Sequence, residues 1–477
     1  IEAMEYSTIL IALALVFGFY MAWNIGANDV ANAMGTSVGS GALTFKRAVI
    51  LAAFLEFAGA FFVGSHVSDT VRKGIVDPVL FSGDPQAFVL GMLSALLAAG
   101  VWLQIASYFG WPVSTTHSIV GAIVGFGIVF GGMAAVEWNE VGKIAASWVI
   151  SPLMSAALSF VIFQIVLHKV FYKADPVAAV RKFTPYMVFL VLAIMTLVMV
   201  FKGLKNLHLD LSLTNALLVS CGVGLVGSLI SVALLRNYKS DESDEEKLQA
   251  REMYVSRALE RAQKHLLRAQ RAADSDTKSS IDDILKHTAA ATDTSSKRAT
   301  LGSNRTEFRR TERIFIYLQI LTACFIAFAH GANDVANAIG PLSAAVQTVR
   351  GGVVEATAQV PLWALLVGGA GIVIGLATYG WKVMETVGKK ITELTPSRGF
   401  CAQFGAATTI VIASKLALPI STTHTLVGAV LGVGLARGIG AINLSTVRDI
   451  AMSWVITIPA GAILAIIFYK TLGLFFN

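Results

Sequence analysis

The sequence predicts an all-α polytopic membrane protein. It should have about 12 transmembrane helices, arranged as two inverted-topology repeats with broken or re-entrant helices. Three observations lead there. Of 477 residues, 55% are hydrophobic and only 14% are charged, against about 25% charged in soluble domains. The charge is also segregated: residues 236–313 carry 17 Lys/Arg and 14 Asp/Glu, and the remaining 399 residues carry only 20 and 16. Finally, whole motifs recur at an almost constant offset. This composition excludes an ordinary cytosolic enzyme. The net charge of +7 sits at loop positions without interleaved aromatics, which reads as a topology signal rather than as nucleic-acid binding.

A membrane-crossing helix needs about 20 apolar residues. Seven runs qualify before the charged segment: 7–25, 46–66, 86–109, 118–136, 141–171, 183–201 and 213–235. Five follow it: 314–330, 360–382, 399–418, 425–441 and 447–474. The acidic start, Met4-Glu5-Tyr6, and the absence of a clear cleavage site make the first run a span rather than a secretory signal. Cys221, Cys324 and Cys401 all lie in apolar runs, without a CxxC pair, and read as buried small hydrophobes.

The internal repeat is exact over eight residues. Gly26-Ala27-Asn28-Asp29-Val30-Ala31-Asn32-Ala33 returns as Gly331 to Ala338, an offset of 305. Pro112-Val113-Ser114-Thr115-Thr116-His117 returns as Pro419-Ile420-Ser421-Thr422-Thr423-His424, offset 307, and Ser147 to Ile150 returns as Ser453 to Ile456, offset 306. The expected organisation is a first membrane repeat over 1–172, connecting helices over 173–235, a charged loop over 236–313 and a second repeat over 314–477. Seven spans separate the starts of the two copies. An odd number reverses the sense of entry, so the second copy is inverted, a plan common in secondary transporters.

With the charged loop cytoplasmic and both termini extracytoplasmic, twelve Lys/Arg lie at inner positions and eight at outer ones, the charged loop left aside. Within that loop, 248–273 has the composition of a surface helix. Its flanks, such as 289–300, read as disordered.

Asn28, Asp29 and Asn32, with their copies Asn333, Asp334 and Asn337, place acids and amides where gapless helices would otherwise continue. Aspartate at a helix centre costs roughly 2.5–3.5 kcal/mol on translocon scales. Irregular backbone at that depth is tolerated only inside protein or beside a water-filled cavity. A broken helix lining a site is the functional reading, and a loop at the membrane surface is the bland one. Ser114, Thr115 and Thr116, like Ser421, Thr422 and Thr423, follow a proline and offer hydroxyls and free N–H groups at a helix start. Such an end favours an anion; simple N-capping of two buried helices is the alternative.

No Lys or Arg lies within these four motifs. Neutral donors can hold an oxyanion and still release it, but two bare aspartates would repel it, so a co-bound cation or proton is required. Carboxylate and amide oxygens are hard ligands suited to Na⁺. His117 and His424 are expected to orient the turns, and His330 to sit in the core or behind the site. Glu56, Gln104 and Gln403 are membrane-embedded polar residues with an accessory functional reading and an interhelical hydrogen-bonding one. No Walker A, GxSxG or paired-histidine metal motif occurs.

Two GANDVANA motifs, each followed by P-V/I-S-T-T-H, resemble the inorganic phosphate transporter (PiT) family of membrane symporters. The resemblance spans both halves of the chain. It implies phosphate uptake coupled to Na⁺ or H⁺, an inverted-repeat helical fold, a cell-membrane location and a homodimer. It also implies that the two Asn-Asp-Asn sets and the two Ser-Thr-Thr runs form the phosphate and Na⁺ sites. The Asn-Asp form resembles the Na⁺-coupled branch, and the family has sulfate-transporting relatives. No cofactor is expected besides Na⁺ as coupling ion.

Overall fold

The computed structural model describes residues 6–63, 75–76, 78–203, 211–236, 244–300, 304–354, 360–415 and 420–476. Pro419 and Met4-Glu5 lie outside them, as does the side chain of Asn32. Among the described residues the architecture is helical. The β structure is one isolated antiparallel bridge, Val76 to Val136.

In the first half the helices are α1 (Ser7–Ile25), α2 (Ala31–Gly39), α3 (Phe45–Val63), α4 (Pro85–Phe109), α5 (Thr115–Gly131) and α6 (Trp138–Val166). Then come α7 (Pro176–Gly203), α8 (Leu213–Arg236), α9 (Asp244–Ala272) and α10 (Ser275–Thr300). The second half has α11 (Asn304–Asp334), α12 (Ala336–Gly351), α13 (Leu362–Tyr379), α14 (Trp381–Glu385), α15 (Pro396–Lys415), α16 (Thr422–Arg437) and α17 (Leu444–Phe476).

Eight described helical stretches are long and apolar enough to cross a membrane, α11 and α12 together making one of them. They coincide with eight of the twelve runs expected from sequence. The other four runs are α3, α5, α15 and α16. At 1.5 Å per residue, α5 with 17 residues and α16 with 16 reach about 26 and 24 Å, short of the ~30 Å hydrocarbon core. α3 is long enough but carries Lys46, Arg47 and Glu56.

Local chemistry sets the boundaries. Asp84 caps α4 by accepting from the Ala87 N–H, Pro85 opens the helix, and Gly110, at φ 70°, ends it in the left-handed conformation that glycine adopts without strain. Ser114 and Ser421 cap α5 and α16 in the same way, accepting from the His117 and His424 N–H groups at 3.3 and 3.2 Å.

The chain forms two compact units. The first comprises Ile1–Phe163, Val191–Gly222 and Ile316–Asn477. Its helices approach closely through glycines. Added Cβ atoms on Gly121 and Gly125 of α5 would press on the α17 backbone at Ile458 and Ala462, and on Gly428 and Gly432 of α16 they would collide with α6 at Pro152 and Ala156. Both pairs have the small-xxx-small spacing that lets helix backbones meet in a membrane. They are repeat equivalents, and each helps lodge a short helix against a long one.

The second unit comprises Gln164–Leu190 and Val223–Phe315. It corrects one expectation: residues 289–300 are helical, within α10. The polar, Ala/Thr-rich composition conceals a seven-residue rhythm. Ile281, Leu285, Thr288 and Thr292 of α10 are its sheltered positions, as are Ser256, Leu259, Gln263, Leu266 and Gln270 of α9. Gln263 donates to Thr292, and Gln270 to Asp282, so α9 and α10 pair as a helical hairpin.

Candidate functional site

The first GANDVANA motif does not open into a loop. Gly26–Val30 forms a single π-helical turn between α1 and α2, and the second copy interrupts its helix only at Val335, between α11 and α12. A π turn inserts one residue into the helical ladder, which is how such turns re-aim side chains at functional sites. The break foreseen from sequence is therefore a widening, because glycines let neighbouring backbones brace it. A Cβ on Gly26 would collide with the Ile372 carbonyl of α13, and one on Gly331 with the Glu56 carbonyl of α3.

These turns direct both aspartates into one buried cluster. Thr115 donates to Asp29 Oδ2 at 2.5 Å, and Thr422 donates to Asp334 Oδ2 at 3.1 Å, so the two copies form the same bond. Two further bonds cross between copies. Thr423 donates to Asp29 Oδ1 at 2.6 Å, and Asn337 donates to the hydroxyls of Thr115 and Thr116 at 3.1 and 3.2 Å. Asn333 donates to Asp334 Oδ1 at 2.8 Å. Asn28 has both ends of its amide engaged: it donates to Ser107 Oγ and the Trp111 carbonyl at 3.0 Å each and accepts from the Val113 N–H at 3.1 Å. It thereby fixes the chain leading into Ser114.

His330 completes the cluster. Its Nδ1 lies 3.1 Å from Glu56 Oε2 and its Nε2 lies 2.6 Å from Asp334 Oδ2. The Nε2 approach is short but off the line of a hydrogen bond, and Nε2 has no aligned partner. One ligand atom from each of Asp29, His330 and Asp334 lies within 4.8 Å of the others. Asp29, Asp334, Glu56 and His330 are all buried. Two bare carboxylates within 4.8 Å of each other repel by at least about 3–4 kcal/mol at an effective dielectric of ~20. Three acids against one imidazole form a cluster that calls for added positive charge, as a cation or a proton, whenever its carboxylates are ionised. Glu56 thus joins the site through His330.

The other accessory residues lie elsewhere. Gln403 donates to Thr36 Oγ1, Ser37 Oγ and the Ala33 carbonyl of α2, at 2.8, 3.1 and 3.2 Å, and accepts from Thr322 at 2.7 Å. Gln319, which sequence reasoning passed over, donates to the Thr36 carbonyl at 3.0 Å and accepts from Ser40 at 2.7 Å. The two glutamines clamp α2 to α11 and α15. Gln104 is half-buried on α4 and makes no hydrogen bond among the described residues.

His117 and His424 meet directly, with ring centroids 4.6 Å apart and planes at 86°. Trp148 packs on His117 at 4.1 Å, and Trp454 stacks on His424 at 3.7 Å. Trp454 also donates to the Pro112 carbonyl at 2.9 Å. These tryptophans belong to the repeated Ser-Trp-Val-Ile motif, whose recurrence was the available signal for their role.

The sequence matches the phosphate transporter family over residues 25–465. The chain belongs to that family. This transporter is 44% identical over 477 residues to inorganic phosphate transporter 2-1, chloroplastic, of Arabidopsis thaliana, covering 98% of this chain and 73% of that one. It is 45% identical over 471 residues to a Chlamydia pneumoniae protein named as a phosphate permease, covering 98% of this chain and 99% of that one. A solved structure titled the sodium-dependent phosphate transporter superposes with a TM-score of 0.78 at 38% identity, covering 98% of this chain and 99% of the other. The transporter is accordingly a multi-pass membrane protein and not an enzyme.

Proposed function

We propose that this transporter is a secondary active symporter importing inorganic phosphate together with Na⁺, and that the Asp29–Asp334 cluster couples the two. The observation that carries the reading is the hydrogen bonding of the threonines. Thr115, Thr422 and Thr423 donate their hydroxyl protons to the two aspartates. Those are the donors an oxyanion would need. Na⁺ bound by the carboxylates is a hard cation on hard oxygen ligands. It would replace the hydroxyl protons as their countercharge, freeing the hydroxyls to turn towards phosphate. The cation thus loads first, and the anion follows into a pocket whose negative charge has been offset. Phosphate also carries a hydroxyl that a carboxylate can accept, which sulfate at neutral pH lacks.

The same reading takes the two motif copies as inverted halves, with both termini extracytoplasmic and residues 236–313 cytoplasmic. It is supported by the repeat parity and the basic-residue bias, and by a solved neighbour titled as sodium-dependent.

The deciding experiment is uptake of labelled phosphate into proteoliposomes under an inward Na⁺ gradient. Uptake that persists unchanged when K⁺ replaces Na⁺ removes Na⁺ from the mechanism. A second reading, H⁺-coupled uptake of phosphate or metal-phosphate, draws on His330 lying between two carboxylates. It requires uptake driven by an inward pH gradient without Na⁺. Competition by excess sulfate in the same assay tests the choice of anion.

A further inference from the structure

The helical hairpin of α9 and α10 supplies no residue to the Asp29–Asp334 cluster described above, yet its surface is organised. Along α9, Arg257, Arg261, Lys264, Arg268 and Arg271 recur at intervals of four, three, four and three residues. At 3.6 residues per turn, all five fall within about 40° of one line. All five are exposed. The face that packs on α10, formed by Ser256, Gln263, Leu266 and Gln270, lies on the far side of the helix. The cationic stripe is therefore not a by-product of pairing within the hairpin, and among the described residues no carboxylate forms a salt bridge with it. Glu260 stands at its edge.

The stripe also has a direction. The Arg261 guanidinium sits 4.0 Å over the ring of Tyr172. Tyr172 follows the last residue of the apolar stretch Trp138–Phe171, where the chain leaves the membrane, with Lys169 and Lys173 on either side of it in sequence. Phe171 packs at 5.7 and 5.9 Å on Phe308 and Phe315 of α11, so that turn is held within the same unit. A stripe whose second residue, Arg261, stacks on a membrane-exit turn begins beside the level of the lipid headgroups.

We infer that this face of α9 docks on anionic lipid headgroups, with Arg261 on Tyr172 fixing its height above the bilayer. Four to eight Lys/Arg close to a membrane span are the pattern attracted to acidic phospholipid surfaces, and the attraction fades within a Debye length. A basic surface of this kind could also take a nucleic acid or an acidic protein. The stacking of Arg261 on Tyr172, directly after a membrane-crossing stretch, favours lipid. The inference does not depend on Na⁺ coupling or on the proposed phosphate site.

The test is amide hydrogen exchange over 257–271 of the full-length protein, in phosphatidylcholine vesicles with and without phosphatidylglycerol. Exchange should slow by about tenfold when the anionic lipid is present. Raising salt to about 1 M, where screening acts within ~3 Å, should abolish the slowing in the unmodified chain, which needs no variant. Replacing Arg257, Lys264, Arg268 and Arg271 together with Gln, itself a good helix former, should equalise the two membranes. Equal exchange of the native chain in both membranes overturns the inference, as does slowing that survives high salt.

Discussion

Thr423 donates its hydroxyl proton to Asp29 Oδ1 at 2.6 Å, although 394 residues separate them. The bond joins the second Ser-Thr-Thr run to the first Asn-Asp motif, so the first copy does not complete the surroundings of its own aspartate. Removing one end should show this. Thr423→Val keeps the shape and deletes the hydroxyl, leaving Asp29 with an unmet acceptor at a cost of roughly 1–3 kcal/mol. The expected outcome is a raised KM for both Na⁺ and phosphate in proteoliposome uptake. A variant with native values for both would detach Thr423 from the site.

Asp29→Asn and Asp334→Asn each remove a buried negative charge while preserving size. Uptake should fall about a hundredfold or more, the rate equivalent of ~3 kcal/mol. Size-exclusion profiles should stay native, because the Asn amide keeps one oxygen to accept from a threonine and its NH₂ can donate to the neighbouring hydroxyl or amide oxygen. Near-normal transport by either variant is the result that would dismiss the coupling role.

His330 and Glu56 should behave as a unit. His330→Ala leaves Glu56 and Asp334 buried without the imidazole between them, a change worth about 3–5 kcal/mol when one partner of a buried pair is lost. Pairing it with Glu56→Gln should restore part of the thermal stability. Strict additivity of the two single changes in a double-mutant cycle would mean that the 3.1 Å approach carries no coupling.

Gln403→Leu removes the amide that donates to the hydroxyls of Thr36 and Ser37 and accepts from Thr322. A loss of roughly 2–3 kcal/mol is expected, read as a lower Tm in detergent. Gly432→Leu should lower Tm as well, by overpacking against Ala156 worth about 1–3 kcal/mol. An unchanged melting curve for either would show that α2 or α16 can shift freely.

Asp274 begins α10, accepting from the Thr277 N–H at 3.1 Å. Its bonds to Thr277, side chain first and backbone second, hold its carboxyl below the ordinary 3.8. A depressed acid stabilises the fold above its unfolded value and loses that contribution as pH falls through the folded one. The first turn of α10 should therefore fray below pH 3.8 and hold at neutral pH. Exchange at 275–278 compared between Asp274→Ala and the native chain checks this: the two should differ at neutral pH and converge in acid.

Much of the site was legible because chemistry and repetition coincided. A carboxylate between two amides in an apolar run has few cheap explanations, and finding it twice removes most of them. The eight long spans were legible for the same reason, since twenty apolar residues admit few other folds. The short helices α5 and α16 read as ordinary spans because hydropathy registers composition and not where a cap starts a helix. The hairpin of α9 and α10 was half legible: charge marked α9, while the small residues through which α10 packs resemble a disordered tract.

What the sequence alone determined is the material of this protein: a duplicated membrane body, an uncharged donor set with two acids, and one densely charged insert. Those are properties of residue type and spacing. What only the tertiary structure decided is partnership: that Thr423 serves Asp29, that His330 draws Glu56 to Asp334, that Asn28 holds a chain segment, and that Gln319 and Gln403 clamp α2. Such pairings join residues tens to hundreds of positions apart. They depend on which backbones glycine allows to touch, a relation between elements that no single stretch of sequence contains.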